Sequence, residues 1–204
     1  LVRDKIEIHA VNSRLNKTVS GVKVGYIRLK QFNANSVREM RKALNDLEGR
    51  FALGYVLDLR SNPGGLLEAS IEIARLLLND GTIVITETKD GVKDIRRANG
   101  RALTKQPVVV LVDGGSASAS EILSGAIQDN KRGILVGQKT FGKGLVQSVR
   151  ALSDGSGLTV TIAKYLTPNG RDIHKHGIVP DIESKMSAKD ALTFTRSDLA
   201  TFKD

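Results

Sequence analysis

Apolar positions recur along the chain with two different periods, and the two periods alternate from one end to the other. Lys5–Val11, Val22–Leu29, Tyr55–Leu59, Ile83–Thr88, Ile134–Val136, Leu145–Val149 and Leu158–Tyr165 are short runs of strand character. Val108–Val112 is continuously apolar and rich in β-branched residues, the pattern of a strand covered on both faces. Between these runs, Val37, Met40, Leu44 and Leu47 repeat at helical spacing; Asn35 or Ser36 can cap that helix and Gly49 can end it. Two more helices are expected, over about 66–78 and 121–130, and a short one over 188–192 before a polar end that frays. Interleaved strands and helices predict an α/β layered fold. At 204 residues the chain can bury one sizeable core, so a single domain is expected.

Charge and composition narrow the function classes without choosing one. A net charge of +9 suits an acidic partner or an anionic membrane surface, so peripheral membrane association stays open. Aromatic residues make up only 4%, too few for the stacking platforms of single-strand binders, and no nucleic-acid partner is expected. The densest basic run, from Lys89 through Lys93, Arg96, Arg97 and Arg101 to Lys105, reads as a solvated hairpin or loop around a glycine. Without cysteine there is no disulfide, thiolate ligand or thiol nucleophile. His9, His174 and His176 are dispersed, so neither a zinc site nor a Ser-His-Asp triad follows, and no metal or cofactor is expected. No apolar run approaches the roughly 18 residues of a membrane span. The chain opens on Leu1 without a signal peptide, which is expected of a mature or trimmed piece of a longer precursor.

Three turns carry residues that could do chemistry. Asn62-Pro63-Gly64-Gly65 follows a buried strand and opens a helix; it is a tight turn, and it could also aim free amides at a developing oxyanion. Ser118 lies between the strand at 108–112 and a helix, where small neighbours leave its hydroxyl accessible; with Glu121 it also spells a Ser-x-x-Glu capping box. Lys143 sits between Gly142 and Gly144. A lysine acts as a base only when neutral, and a free lysine at pH 7 is neutral in roughly one molecule in 2,500. An apolar pocket that lowers its pKa by about three units, worth about 4 kcal/mol, is therefore required, and Phe141 is compatible with one. Gly137 and Gly142-Lys143 also approximate a phosphate-binding loop, but Gly144 replaces the needed hydroxyl and a strand follows where that motif needs a helix.

Taken together, Asp58–Gly65, Val112–Glu121 and Thr140–Gly144, with Tyr165–Gly170 and Gly177–Asp181, closely resemble the carboxyl-terminal processing proteases, also called tail-specific proteases. The resemblance covers about 22–182. It implies Ser118 as nucleophile, Lys143 as general base and Gln147 as an orienting amide. The backbone N–H groups of Gly64 and Ala119 match the family's oxyanion hole, and Asp58, Arg60 and Glu121 fall on positions that support the site. Ion pairing explains Asp58 and Arg60 equally well, and capping is favoured for Glu121.

The fold implied is the crotonase/Clp-peptidase-like β-spiral with flanking helices. The activity implied is endoproteolytic removal of C-terminal tails from protein substrates through an acyl-enzyme. The sequence looks most like the cyanobacterial and chloroplast members that mature a photosystem II reaction-centre protein, which implies the thylakoid lumen; a bacterial periplasmic enzyme is the competitor. Family members carry a PDZ domain that captures the substrate terminus, and no stretch here is long enough for one. Residues 1–21 are expected to hold the strand that joins it to the core, 22–182 the catalytic core and 183–204 a peripheral segment. The alternative is a binding or assembly module on the same fold, inert because the recruiting domain is missing.

Overall fold

The structure is a computed structural model that describes residues 9–185 and 187. β1 (Val11–Lys17) and β2 (Lys23–Leu29) form an antiparallel hairpin. β2 then runs parallel to β3 (Tyr55–Asp58), β3 to β6 (Val108–Val112), β6 to β7 (Gly133–Gly137), and β7 to the two-residue β10 (Ile182–Glu183). A second sheet is antiparallel in the order β5 (Lys93–Arg97), β4 (Thr82–Thr88), β9 (Gly157–Leu166), β8 (Leu145–Ala151).

Among the described residues three helices connect the strands. α1 (Ser36–Gly49) returns the chain from β2 to β3, α2 (Leu67–Leu77) follows the Asn62 turn, and α3 (Ala119–Asp129) follows Ser118. α1 is amphipathic in the expected register: Met40, Leu44 and Leu47 are buried. α2 and α3 pack on each other and reach β4, so Ile73, Leu76, Leu123 and Ile127 share one apolar cluster with Val110, Leu57 and Ile83. That cluster links both sheets and all three helices, and burying it is the main driving force for the fold.

The described elements differ from the sequence reading at three places. The first described strand is Val11–Lys17, a segment that alternates poorly and is defined by its pairing with 23–29; of the strand expected over Lys5–Val11, residues 5–8 lie outside the described residues. Asn35 does not cap α1 with its side chain, because its backbone is already helical; Asn33 Oδ1 instead accepts the amides of Asn35 (2.9 Å) and Ser36 (3.0 Å). The basic run forms the solvated hairpin that the sequence suggests: β5 pairs with β4 across the turn at Gly91, and the Arg96–Glu68 ion pair fastens it. β10 carries no local signal and exists through its pairing with β7. The helix expected over 188–192 lies outside the described residues.

Candidate active site

β3, β6 and β7 are adjacent and parallel, so their C-terminal ends meet at one edge of the sheet. That edge is where ligands and reacting groups gather in α/β sheets. The Asn62 turn leaves β3 there, the Ser118 turn leaves β6, and the Lys143 loop follows β7.

Ser118 is held in a backbone conformation that L-residues avoid, with φ 55° and ψ −115°. Such strain persists only where surrounding bonds over-determine it. Here Ala117 N and Ser120 Oγ both donate to Asn62 O, at 3.0 and 2.9 Å. Ser116 Oγ donates to Leu59 O (2.8 Å), and Asp113 Oδ1 accepts the amides of Ser61 (2.8 Å) and Gly115 (2.9 Å). The turn after β6 is thus fastened to the turn after β3 by the buried Asn62, Ser116 and Ser120 and, nearer the surface, by Asp113. Asn62 carries the fastening to β2, donating from Nδ2 to Leu29 O at 2.8 Å.

Glu121 has no exposed surface, and its carboxylate accepts four hydrogen bonds. Oε2 takes the amides of Ser118 (2.9 Å) and Lys143 (2.8 Å); Oε1 takes the Gly142 amide (2.7 Å) and Thr140 Oγ1 (2.5 Å). The glutamate half of the expected capping box is formed by the Ser118 amide on Oε2, while the Glu121 amide donates to the Ser118 carbonyl (2.8 Å); the same carboxylate also holds the lysine loop. Ser118 N and Lys143 N share one acceptor atom, so they are no further apart than the sum of those two bond lengths.

The lysine loop is fastened from its other side by residues 172–178. Thr140 N donates to Ile178 O (3.1 Å), Ile178 N to Thr140 Oγ1 (2.7 Å), and Lys175 N to Gly142 O (2.8 Å). Gly142, at φ 91°, and Gly144 are needed for this approach: a Cβ on Gly144 would stand 2.6 Å from His174 N. Leu145–Ala151 is a strand, so the helix that a phosphate-binding loop requires is not there.

With its backbone packed inward, the loop turns its side chains outward. Lys143 and Gln147 are exposed and Phe141 is 67% exposed. The apolar pocket expected around Lys143 is not formed in this structure, because the inward face of the loop is occupied by Glu121 and the 172–178 segment. Gln147 lies opposite Thr161 beside an irregularity in the β8–β9 pairing.

Gly64 abuts the elbow directly. A Cβ there would meet Ala117 O at 2.7 Å, Ser118 Cβ at 2.8 Å and Ala119 N at 2.9 Å. Its amide donates to Asn62 Oδ1 at 2.9 Å, whereas the Ala119 amide belongs to the first turn of α3, whose donors have no partner within the helix.

Asp58, at the end of β3, is fully buried and paired. It accepts from Arg60 Nε (2.9 Å), Nη2 (2.6 Å) and N (3.0 Å), from Tyr26 Oη (2.6 Å) and from Arg28 Nη1 (3.4 Å). Burial pushes the Asp58 carboxyl up, but the bonds from Arg60 and Tyr26 outweigh it and hold the pKa below the usual value. Asp58 in turn raises the Arg60 guanidinium. Burial, and then the bond to Asp58, push the Tyr26 phenol up to about 12.

Sequence reasoning missed Thr140, Asn62, Asp113, Ser116 and Ser120 as organisers of the site. Their signal was available: each is a small polar residue inside a quoted motif next to a buried strand.

A strained serine between a parallel strand and a helix, with a glycine turn pressed against it, marks the candidate site of an α/β protein. The chain belongs to peptidase family S41, which residues 23–184 match. It is 56% identical over 181 residues to a carboxyl-terminal-processing protease of Synechocystis, covering 89% of this chain and 42% of that protein. It is 45% identical over 199 residues to the chloroplastic carboxyl-terminal-processing peptidase 3 of Arabidopsis thaliana, covering 95% of this chain and 38% of that one. The solved photosystem II D1 C-terminal processing protease superposes with a TM-score of 0.83 at 41% identity, over 90% of this chain and 50% of that one. The α/β core is thus of the Clp/crotonase-like kind. The chain spans less than half the length of these curated relatives.

Proposed function

We propose that this chain is the catalytic core of a serine endopeptidase that removes C-terminal tails, with Ser118 as nucleophile and Lys143 as general base. The observation that carries this reading is the sharing of Glu121 Oε2 by the amides of Ser118 and Lys143. No cap needs a lysine loop on its glutamate. A fixed separation between a nucleophile and its base does need such an anchor.

In the reaction, neutral Lys143 takes the proton of the Ser118 hydroxyl as Oγ attacks the scissile carbonyl carbon. The proton then passes to the leaving amine as the C–N bond breaks, and water hydrolyses the ester that remains. The oxyanion is received by the amides of Ala119 and Gly64, the latter exchanging its bond from Asn62 Oδ1 to the substrate oxygen. Gln147, four residues beyond Lys143, orients the amine. Asp58 and Arg60 stiffen the end of β3 from which the Gly64 turn departs.

Lys143 needs a dry environment, and bound substrate supplies the cover. A cleft of about 530 Å³ lined by Leu145, Ile162 and Ala163, with Glu87, Lys89 and Lys164 at its polar side, opens beside the end of the lysine loop. A tail extending from that cleft across Lys143 to Ser118 would screen the amine from water. The names of the relatives support a C-terminal protein tail as substrate, that of a photosystem II protein among the candidates; the setting that goes with this reading is extracytoplasmic, the thylakoid lumen or a periplasm.

A test is cleavage of a peptide ending in a free carboxylate, followed by mass spectrometry. Wild type is expected to release a discrete C-terminal fragment, and Ser118→Ala none. Equal cleavage by both would refute the assignment, and lack of cleavage together with lack of acylation would point to the inert module.

A further inference from the structure

At the opposite edge of the sheet from Ser118, where β2 and β3 begin, the turn between β1 and β2 lies against the loop between α1 and β3. Leu53 N donates to Lys23 O (2.9 Å), Gly25 N to Gly54 O (2.9 Å), and Lys23 Nζ to Arg50 O (3.2 Å). This joined surface exposes large apolar side chains: Val19 is fully exposed, Phe51 73% and Leu53 56%, with Val22 beside them. Phe51 is held at φ 64°, a left-handed conformation unfavourable for an aromatic residue, and its ring gains no burial in return. The Lys23 ammonium stands 5.4 Å from the ring centroid.

Charge surrounds the apolar tips. Lys17 and Lys23 are directly opposed in the hairpin, an arrangement of like charges that weakens strand pairing unless an anion lies nearby. Arg41 and Lys42 are exposed on α1, and Arg50 follows at the end of the helix next to Phe51. At this edge itself Lys17, Lys23 and Arg50 are exposed or half-buried with no carboxylate in the 17–23 turn or the 50–54 loop, whereas Arg28 is buried against Asp58 at the far end of β2.

We infer that this edge is a docking surface for an anionic lipid bilayer, with Val19, Phe51 and Leu53 entering the headgroup boundary and the surrounding Lys and Arg meeting lipid phosphates. Apolar tips ringed by basic residues combine the two attractions that interfacial binding needs. A nucleic acid would use the charge but leave Val19, Val22 and Leu53 idle, with a single aromatic ring for stacking. A second copy paired through the same surface would set one basic patch against another. Docking holds the elbow on the side of the sheet away from the lipid, and it stands independently of the proposed peptidase activity.

The chain contains no tryptophan, so a single one introduced here is an unobstructed reporter. Phe51→Trp, and separately Val19→Trp in the turn, are mixed with phosphatidylcholine vesicles with and without phosphatidylglycerol. Both reporters are expected to shift to shorter wavelength on anionic vesicles, to be quenched by brominated acyl chains, and to lose the effect in high salt. Lys17→Gln with Lys23→Gln is expected to weaken partitioning by about tenfold or more. The inference is overturned if neither reporter shifts, if neutral and anionic vesicles act alike, if the shift follows protein concentration without lipid, or if an acidic polypeptide alone reproduces it.

Discussion

Ser118 and Lys143 donate their main-chain amides to the same oxygen, Oε2 of Glu121, at 2.9 and 2.8 Å. The elbow and the lysine loop come from different strands, and this buried carboxylate registers one against the other. Its second oxygen holds Gly142 and Thr140, so the whole Thr140–Lys143 turn follows Glu121.

Glu121→Gln keeps the shape but replaces one acceptor oxygen by a donor that faces N–H groups. With its NH2 on the Thr140 side, where the hydroxyl can turn to accept, the Gly142 N–H still faces a donor; all the remaining bonds lose their charge, and hydrogen bonds to a charged group are worth about 1.5–3 kcal/mol each. Loss of about 3 kcal/mol in the urea unfolding free energy is expected, together with loss of Ser118 acylation. Wild-type acylation in the variant would remove Glu121 from site assembly.

Gly64→Ala places a methyl group within 2.7–2.9 Å of Ala117, Ser118 and Ala119 at a φ of 100°. The elbow must shift or the turn must open, and the strained conformation alone costs about 1 kcal/mol or more. Peptide cleavage is expected to fall at least about a hundredfold, the order associated with one lost oxyanion donor. Activity within a few-fold of wild type would show that the turn does not face the reacting carbonyl.

Asp58→Asn leaves the Arg60 and Arg28 guanidinium groups without their carboxylate, and breaking such a buried pair costs about 3–5 kcal/mol. The wild-type Asp58 pKa is lowered on folding, so its contribution is complete above the unfolded carboxyl pKa of about 3.9 and is lost as pH falls through the folded value. Denaturant midpoints measured from neutral to strongly acidic pH are expected to fall for wild type below about pH 4. The difference between wild type and variant should shrink there, and a constant difference would contradict the ion-pair account.

Tyr26 titrates in the opposite sense. Its phenol is raised to about 12, so the stability it carries is present below the unfolded value of about 10 and is lost as pH rises toward 12. Phenolate absorbance of wild type minus Tyr26→Phe should show no ionisation near pH 10. In Asp58→Asn the Tyr26 step should move down but remain above 10, because burial is the larger cause.

Much of this architecture was legible in the chain. β6 was read with its observed bounds, and β3, α2 and β4 to within a residue, because their apolar runs are bounded by glycine, proline or polar turns. β1 and β10 were not, since each is defined by a partner strand distant in sequence. The Ser118–Glu121 spacing announced a helix cap, but the hold of that glutamate on Lys143 is a tertiary fact with no local signal. The dry pocket expected for Lys143 was inferred from the needs of a base; the loop instead spends its inward face on Glu121, Ile178 and Lys175 and leaves the amine outside.

The central claim is that Lys143 activates Ser118. The direct measurement is mass-spectrometric mapping of a serine-reactive fluorophosphonate on wild type, Ser118→Ala and Lys143→Ala, with folding of each checked by circular dichroism. A single adduct on the peptide containing Ser118 in wild type, and none in either variant, is the predicted result. Labelling of folded Lys143→Ala at the wild-type rate, or an adduct that persists in Ser118→Ala, would contradict it.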